Sequence, residues 1–207
     1  ILMVKDNREA QAIRVLKGRL ASLSLIKKHD LKPLVNELFL RSLDKGFEDL
    51  LLVLIDSGFP DNFNNAIYGN IKSRRFPSYL LLTISLGRLR VIERIFETQP
   101  RVHLNKGWFN GIRPLMMAQM TPKLTWKSFQ ITELILKGGG EPNRSISYST
   151  YLKGLSFRQR RLNKIEGVGS RGHREIYKKT RIYAIDFACS RGKFESAQVI
   201  LKYEKKP

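Results

Sequence analysis

The feature that most constrains the fold is a helical unit over Ser78–Asn110 that cannot be stable alone. Its first half is apolar and ends at Gly87, a residue that adopts the left-handed conformation of a helix end at low steric cost. Its second half repeats apolar residues at helical spacing, with charged residues on the other face, until Pro100 prevents continuation. Two helices this short bury little apolar surface, so the sequence predicts that they stack against copies of themselves.

Three further stretches repeat this pattern of two short apolar helices. A glycine separates the helices at positions 46, 87 and 192, and the closing positions 58, 99 and 139 lie 41 and 40 residues apart. A repeat of this length predicts an all-α array of about four hairpins. The four units are Glu37–Asn62, Ser78–Asn110, Arg113–Asn143 and Tyr183–Tyr203.

The units resemble the ankyrin repeat, whose consensus is roughly TPLHxAAxxGHxxVVxLLLxxGADVN. The third unit matches the Pro-Leu and Ala positions of that consensus, and the fourth matches its Leu-Ala-Ala positions. The matching residues are Pro114, Leu115, Ala118, Ile185, Ala188 and Cys189. The resemblance implies a solenoid whose first helices and hairpin tips form a protein-recognition surface. The third unit departs from the pattern because an insertion, Thr121–Ser128, replaces the glycine between its helices.

The sequence divides into four regions. Residues 1–36 form an N-terminal capping helix region, 37–143 three ankyrin-like repeats, 144–182 a basic insertion and 183–207 the last repeat. We expect a helix over residues 6–28, either continuous or divided near Gly18, and then a turn over His29–Pro33. This helix would cover the open end of the stack; the alternative is an amphipathic helix on a membrane surface.

The charge of the chain is unusual. It carries 38 Lys and Arg against 18 Asp and Glu, a net charge of +20, which favours binding to nucleic acid, an anionic membrane or an acidic protein. The longest apolar run, Leu50–Ile55, is too short to cross a membrane. The single cysteine, Cys189, cannot form an internal disulfide, which fits a reducing compartment such as cytoplasm or nucleus. We expect Cys189 to be buried and inert.

Two hairpin tips combine cations with aromatic residues. Such pairs offer stacking and cation–π contacts as well as charge, so we predict that the tips bind the partner. The alternative is that the aromatic residues pack between hairpins and the cations are solvated. The predicted partner-binding residues are Lys72, Arg74, Arg75, Phe76, Lys106, Trp108 and Phe109.

A long basic arm precedes the last unit. Residues Arg144–Ile182 contain eleven cations and two acids, a net charge of +9. A loop of this length in a compact domain is typically functional or disordered. We predict that it binds polyanions, and the alternative is solvated charge. The residues of this predicted site are Arg158, Arg160, Arg161, Lys164, Arg171, Arg174, Lys178 and Lys179.

No residue pattern in the chain indicates catalysis. The three histidines lack metal-ligand partners at helical spacing, and we expect no cofactor and no metal. Gly138–Gly140 follows a helix and has no Lys-Ser/Thr after it, so it is a helix end rather than a phosphate loop. The leading hypothesis is a non-catalytic adaptor or scaffold that binds an acidic protein partner. The alternatives are RNA or DNA backbone binding and docking to an anionic membrane.

Overall fold

The structure is a computed structural model, and it describes residues 8–22, 28–64, 78–99, 102–107, 111–120, 125–147 and 181–204. In these ranges the chain is mostly helical, which confirms the all-α prediction, and it has one pair of two-residue strands. The helices are α1 Glu9–Ser22, α2 Lys28–Lys45, α3 Glu48–Asp56, α4 Tyr79–Ser85, α5 Leu89–Thr98, α6 Pro114–Met120, α7 Thr125–Lys137, α8 Ala184–Ser190 and α9 Phe194–Glu204. The strands are β1 Ile146–Ser147 and β2 Arg181–Ile182.

The helices pack as four consecutive hairpins, α2–α3, α4–α5, α6–α7 and α8–α9. Among the first helices, α4 contacts α6 and α6 contacts α8. The second helices form a continuous series in which α3 contacts α5, α5 contacts α7 and α7 contacts α9. At the first junction the ring of Phe39 meets the ring of Tyr79 edge-on, with centroids 5.5 Å apart. Each hairpin therefore buries its apolar residues against the next one.

The turns at Gly46, Gly87 and Gly192 share one backbone geometry. All three glycines have positive φ, between 64° and 79°. In each turn the glycine N–H donates to the carbonyl three residues back, and the following N–H donates to the carbonyl five residues back. This pair of bonds closes the first helix and requires a left-handed residue. The common hairpin geometry predicted from the three glycines is confirmed.

The closing positions are less uniform than the sequence suggested. Gly58 and Gly139 also have positive φ, but Gln99 has a φ of −129°. The Gln99 side chain accepts a hydrogen bond from the Phe63 N–H at 3.4 Å and donates to the Pro60 carbonyl at 3.3 Å. A side chain therefore joins the second hairpin to the loop of the first where the glycine is absent.

Helix α1 packs on α3 and has a small apolar cluster of its own. Ala12 of α1 lies against the buried side chains Phe47 and Leu50. The Leu50 N–H also donates to a Glu9 side-chain oxygen at 3.2 Å, which satisfies a backbone donor at the start of α3. In the described part of the chain, α1 thus covers the side of the first hairpin that has no preceding hairpin.

In the N-terminal region, the structure corrects one prediction and decides between the two alternatives of another. His29–Pro33 is not a turn, because α2 begins at Lys28 and contains all five residues. Pro33 is the sixth residue of α2 and cannot donate to the carbonyl four residues earlier, so the helix continues across it with one backbone hydrogen bond fewer. Gly18 does not divide α1, which continues from Glu9 to Ser22.

Two further predictions need correction at the third and fourth hairpins. Thr125–Ser128, expected as part of an insertion between helices, form the first turn of α7, and residues 121–124 lie outside the described ranges. The Trp126 side chain is likewise outside them. Cys189 is exposed rather than buried. Its counterparts Leu43 and Ile84, in hairpins that are followed by another hairpin, are fully buried, whereas no described helix follows α9.

A cation follows the hairpin glycine in two units and ties each hairpin to the preceding one. Arg88 donates through Nη2 to the Leu43 carbonyl at 3.1 Å. Lys193 donates through Nζ to the Ala118 carbonyl at 3.1 Å and to Ser128 Oγ at 2.7 Å. Lys193 is buried, and this burial, with the nearby Arg191, lowers its pKa to about 8.

We expect Gly192→Ala to lower the free energy of unfolding by about 1–2 kcal/mol, because an L-residue is strained in the left-handed region. Open space surrounds the Cβ position of Gly192, so the cost is conformational rather than steric. Gly18→Ala is the matched control, since its Cβ also meets open space but α1 is right-handed. That variant should gain about 0.5–1 kcal/mol. Urea unfolding measures the free energy of unfolding of both variants. If Gly192→Ala left that free energy unchanged, the result would contradict the shared turn geometry.

The pKa of Lys193 makes stability depend on pH. In the unfolded chain its pKa is about 10.4, so from about pH 8 to about pH 10 the unfolded state binds more protons. Stability therefore rises with pH across this window, and the cost of burying the charge is fully present below it. Lys193→Met should lack this rise in urea unfolding measured from pH 7 to pH 10, and exposed Lys202→Met should keep it. If the original protein and both variants gave parallel curves of stability against pH, the result would contradict the assignment of this pH dependence to Lys193.

Candidate functional site

The second helices carry charges that are paired with one another. Arg90 and Arg94 of α5 reach Asp49 and Asp56 of α3, with nitrogen–oxygen distances of 3.2 Å and 2.7 Å. Hydrogen bonds to Asp56 and Glu97 raise the pKa of Arg94. These exposed pairs contribute little to stability. The four second helices together carry eight acids against five cations, so the surplus of positive charge does not lie on them.

The first helices of the central hairpins have a different surface. Neither α4 nor α6 contains a charged residue. Leu82 of α4 and Met117 of α6 occupy the same position in successive first helices, and both side chains are half-buried. Leu86 and Met120, near the ends of the two helices, are also half-buried. Helices α4 and α6 are in contact, and we refer to these four half-buried residues as the apolar strip.

The loops that close the hairpins are linked by asparagine side chains. Asn64 accepts a hydrogen bond from the His103 N–H at 2.8 Å. Asn105 accepts one from the Glu141 N–H at 2.7 Å and donates to the Gly139 carbonyl at 3.0 Å. Asn64 and Asn105 lie 41 residues apart, as the closing positions of the first two units do. No local pattern predicts these links, although the 41-residue spacing of the two asparagines is a signal for them.

Arg113 fixes the start of α6 to the same loops. Its Nε donates to the Asn105 carbonyl at 3.0 Å and its Nη1 to the Ser145 carbonyl at 2.6 Å. Partial burial and then the neighbouring Arg144 lower the pKa of Arg113, while Glu141 opposes the shift. Arg144 is itself paired with Glu141. Arg113 therefore joins the loop before α6 to the loop after α7.

Lys106 is the one predicted partner-binding residue within the described ranges. It is exposed and directly follows Asn105, whose side chain is held by the next loop. The structure thus places one predicted cation at the base of the second tip. The other predicted residues of both sites lie outside the described part of the chain: Lys72, Arg74, Arg75, Phe76, Trp108, Phe109, Arg158, Arg160, Arg161, Lys164, Arg171, Arg174, Lys178 and Lys179.

The two ends of the basic arm are held together. Strands β1 and β2 pair antiparallel, with Ile146 opposite Ile182 and Ser147 opposite Arg181. Both isoleucines are buried in the main core. The segment between the strands, 148–180, carries nine cations and two acids. This charge is therefore attached at a single place, next to the start of α8.

Among the described residues, few groups could bind a metal ion, cross a membrane or titrate unusually. In these ranges no cluster of three His, Cys, Asp or Glu side chains could hold a metal ion. No described helix is both long enough and apolar enough to cross a bilayer. The lysine with the perturbed pKa, Lys193, lies between hairpins and donates to a carbonyl and a hydroxyl, which is a packing arrangement.

Comparisons of this chain with protein-family models, with curated proteins and with solved structures find no match.

Proposed function

We propose that this chain is a non-catalytic protein-interaction module, an adaptor or scaffold, that binds an acidic partner. The single observation that carries the proposal is the contrast between the two sides of the hairpin stack. The second helices pair their charges, whereas the central first helices present an uncharged apolar strip. Lys106 is exposed in the loop that follows the second hairpin. An apolar centre with a basic surround suits a protein segment that carries both leucine-like and acidic side chains.

We also propose that the hairpins form an ankyrin-like solenoid. The support is the order of helix contacts, together with the left-handed glycine at the same place in three hairpins. In this arrangement the first helices and tips of successive hairpins share one surface. The proposed binding surface therefore consists of Leu82, Met117 and the basic tips, and the arm supplies further charge. A cytoplasmic or nuclear location is part of the same proposal.

The basic segments would attract the partner and the strip would hold it. Half of the surplus charge lies in segments 65–77 and 148–180, which contain twelve cations and two acids. The positive electrostatic field of these segments would accelerate association with an acidic partner, and it weakens as ionic strength rises. Burial of a leucine-sized side chain in the strip would contribute about 1.5–3 kcal/mol. An RNA, DNA or membrane ligand would need the charge but not the strip.

The expected result for Leu82→Glu is that an acidic peptide containing leucines binds at least about tenfold more weakly, because a carboxylate replaces apolar contact surface. Single-stranded RNA should bind as before, since it contacts cations. Met117→Glu should reproduce the effect at an independent position. Val53→Glu, at a half-buried position on the second helix α3, is the matched control for the added acid. Fluorescence anisotropy measures all affinities, and circular dichroism verifies folding.

A second set of variants separates the alternatives. Changing Arg158, Arg160 and Arg161 to Glu should weaken binding of both the peptide and the RNA if the arm supplies general attraction. Anionic vesicles, added as a third ligand, test membrane docking. The proposal is wrong if the strip variants leave peptide affinity unchanged while the arm variants abolish RNA binding. That result would instead identify a nucleic-acid-binding protein.

A further inference from the structure

The last hairpin exposes large apolar side chains. Phe194 is 67% exposed, Leu201 is 43% exposed and Tyr183 is 36% exposed. Among the described residues, only Val15 and Leu34 are comparable large apolar side chains with such exposure. A group of exposed apolar residues on one hairpin typically marks an interaction site.

Two of the exposed positions of the last hairpin are covered in earlier hairpins. Leu43 and Ile84, the counterparts of the exposed Cys189, are fully buried, and Ile55, which corresponds to Leu201 in the first hairpin, is buried as well. Leu201 corresponds to Phe96, nine residues after the hairpin glycine. A Cβ placed on Gly138, at the end of α7, would lie 3.5 Å from the Phe96 ring. This position therefore faces the next hairpin, and the exposed surface of the last hairpin continues an interface that the fold already uses three times.

The other end of the hairpin series is different. There α1 packs on α3 and covers Phe47 and Leu50. A second copy of the chain cannot use that end without displacing α1. Each chain therefore has one open apolar end of the hairpin series among its described residues, and two chains can pair through this same end. Association of this kind closes at two chains and does not extend into a filament.

The exposed face of α9 is complementary to the same face of a second copy. Phe194 and Leu201 are seven residues apart, and so are Glu195 and Lys202. Seven residues return to nearly the same face of a helix, so the pairs lie side by side along α9. Gln198 lies midway and is also exposed. When the α9 helices of two chains cross antiparallel at Gln198, Phe194 of each chain meets Leu201 of the other chain. In the same way, Glu195 of each chain meets Lys202 of the other.

We propose that the end face formed by Tyr183, Cys189, Phe194 and Leu201 binds the same face of a second copy, giving a two-fold dimer with Gln198 at its axis. The apolar residues form the centre and the pairs of Glu195 with Lys202 form the rim. The net charge of +20 on each chain opposes this association. Added salt screens that repulsion, so dimerisation strengthens as ionic strength rises. This response is opposite to that of polyanion binding.

Sedimentation of the full chain at several concentrations should give a monomer–dimer equilibrium, and the dimer should tighten from about 0.05 M to about 0.5 M NaCl. Phe194→Glu and Leu201→Glu should each weaken the dimer at least about tenfold, because a carboxylate enters the apolar centre of both chains. Val15→Glu is the matched control, since Val15 has the same 43% exposure as Leu201. It should leave the dimer unchanged, and unfolding curves confirm that all three variants fold.

Charge reversal tests the two-fold arrangement itself. Glu195→Lys places like charges opposite each other and should weaken the dimer, as should Lys202→Glu. The double variant restores opposite charges across the axis at unchanged net charge, and it should recover the original affinity. In a Cys189→Ser background, Gln198→Cys should form a disulfide-linked dimer when oxidised. Asp186→Cys, also at an exposed position, is the control for non-specific oxidation.

Three results would overturn the proposal. The first is a monomer at every concentration in about 0.5 M NaCl, where repulsion is screened. The second is a dimer that Phe194→Glu and Leu201→Glu leave intact, which would place the interface elsewhere. The third is equal oxidation of the Gln198→Cys and Asp186→Cys variants, which would exclude an axis at Gln198. None of these results depends on whether the basic tips bind an acidic partner.

Discussion

The structure depends on apolar contact between successive hairpins. Helices α4 and α6 have seven residues each, well below the roughly 12–15 residues at which an isolated helix becomes marginally stable. Their stability must come from packing, and residues such as Leu80 and Met116 are almost completely buried. The left-handed glycine matters because it turns the chain so that both helices of a hairpin meet the next hairpin.

Stacking of this kind also decides where charge can lie. The faces between hairpins must be apolar, or must satisfy each polar group as Lys193 does with Ala118 and Ser128. Charges on the second helices pair across neighbouring hairpins. The surplus cations are then concentrated in the segments between hairpins, where the sequence does not have to build a core. This segregation of charge from core supports our proposal that a partner binds on the first-helix side.

Helical periodicity and the glycines at 46, 87 and 192 predicted the hairpins, because both signals are local. Features set by neighbours in space could not be predicted in this way. Cys189 occupies a core-like position by sequence, but it is exposed because no described hairpin covers it. Thr125–Ser128 looked like an insertion, since the sequence did not show that α7 could extend by a turn. The link from Asn105 to Gly139 joins residues distant in sequence, and neither residue alone indicates it.

The two ends of the described hairpin series differ. The first hairpin meets α1, whose residue Glu9 satisfies a backbone donor of α3 and whose other side carries charge. The last hairpin exposes Phe194 and Leu201, although Ile55, the counterpart of Leu201 in the first hairpin, is buried. An apolar end face favours association, whereas the net charge of +20 opposes it at low ionic strength. Neutralisation of the basic segments by an acidic partner would lower that repulsion, so binding at the tips and pairing at the end face should favour each other.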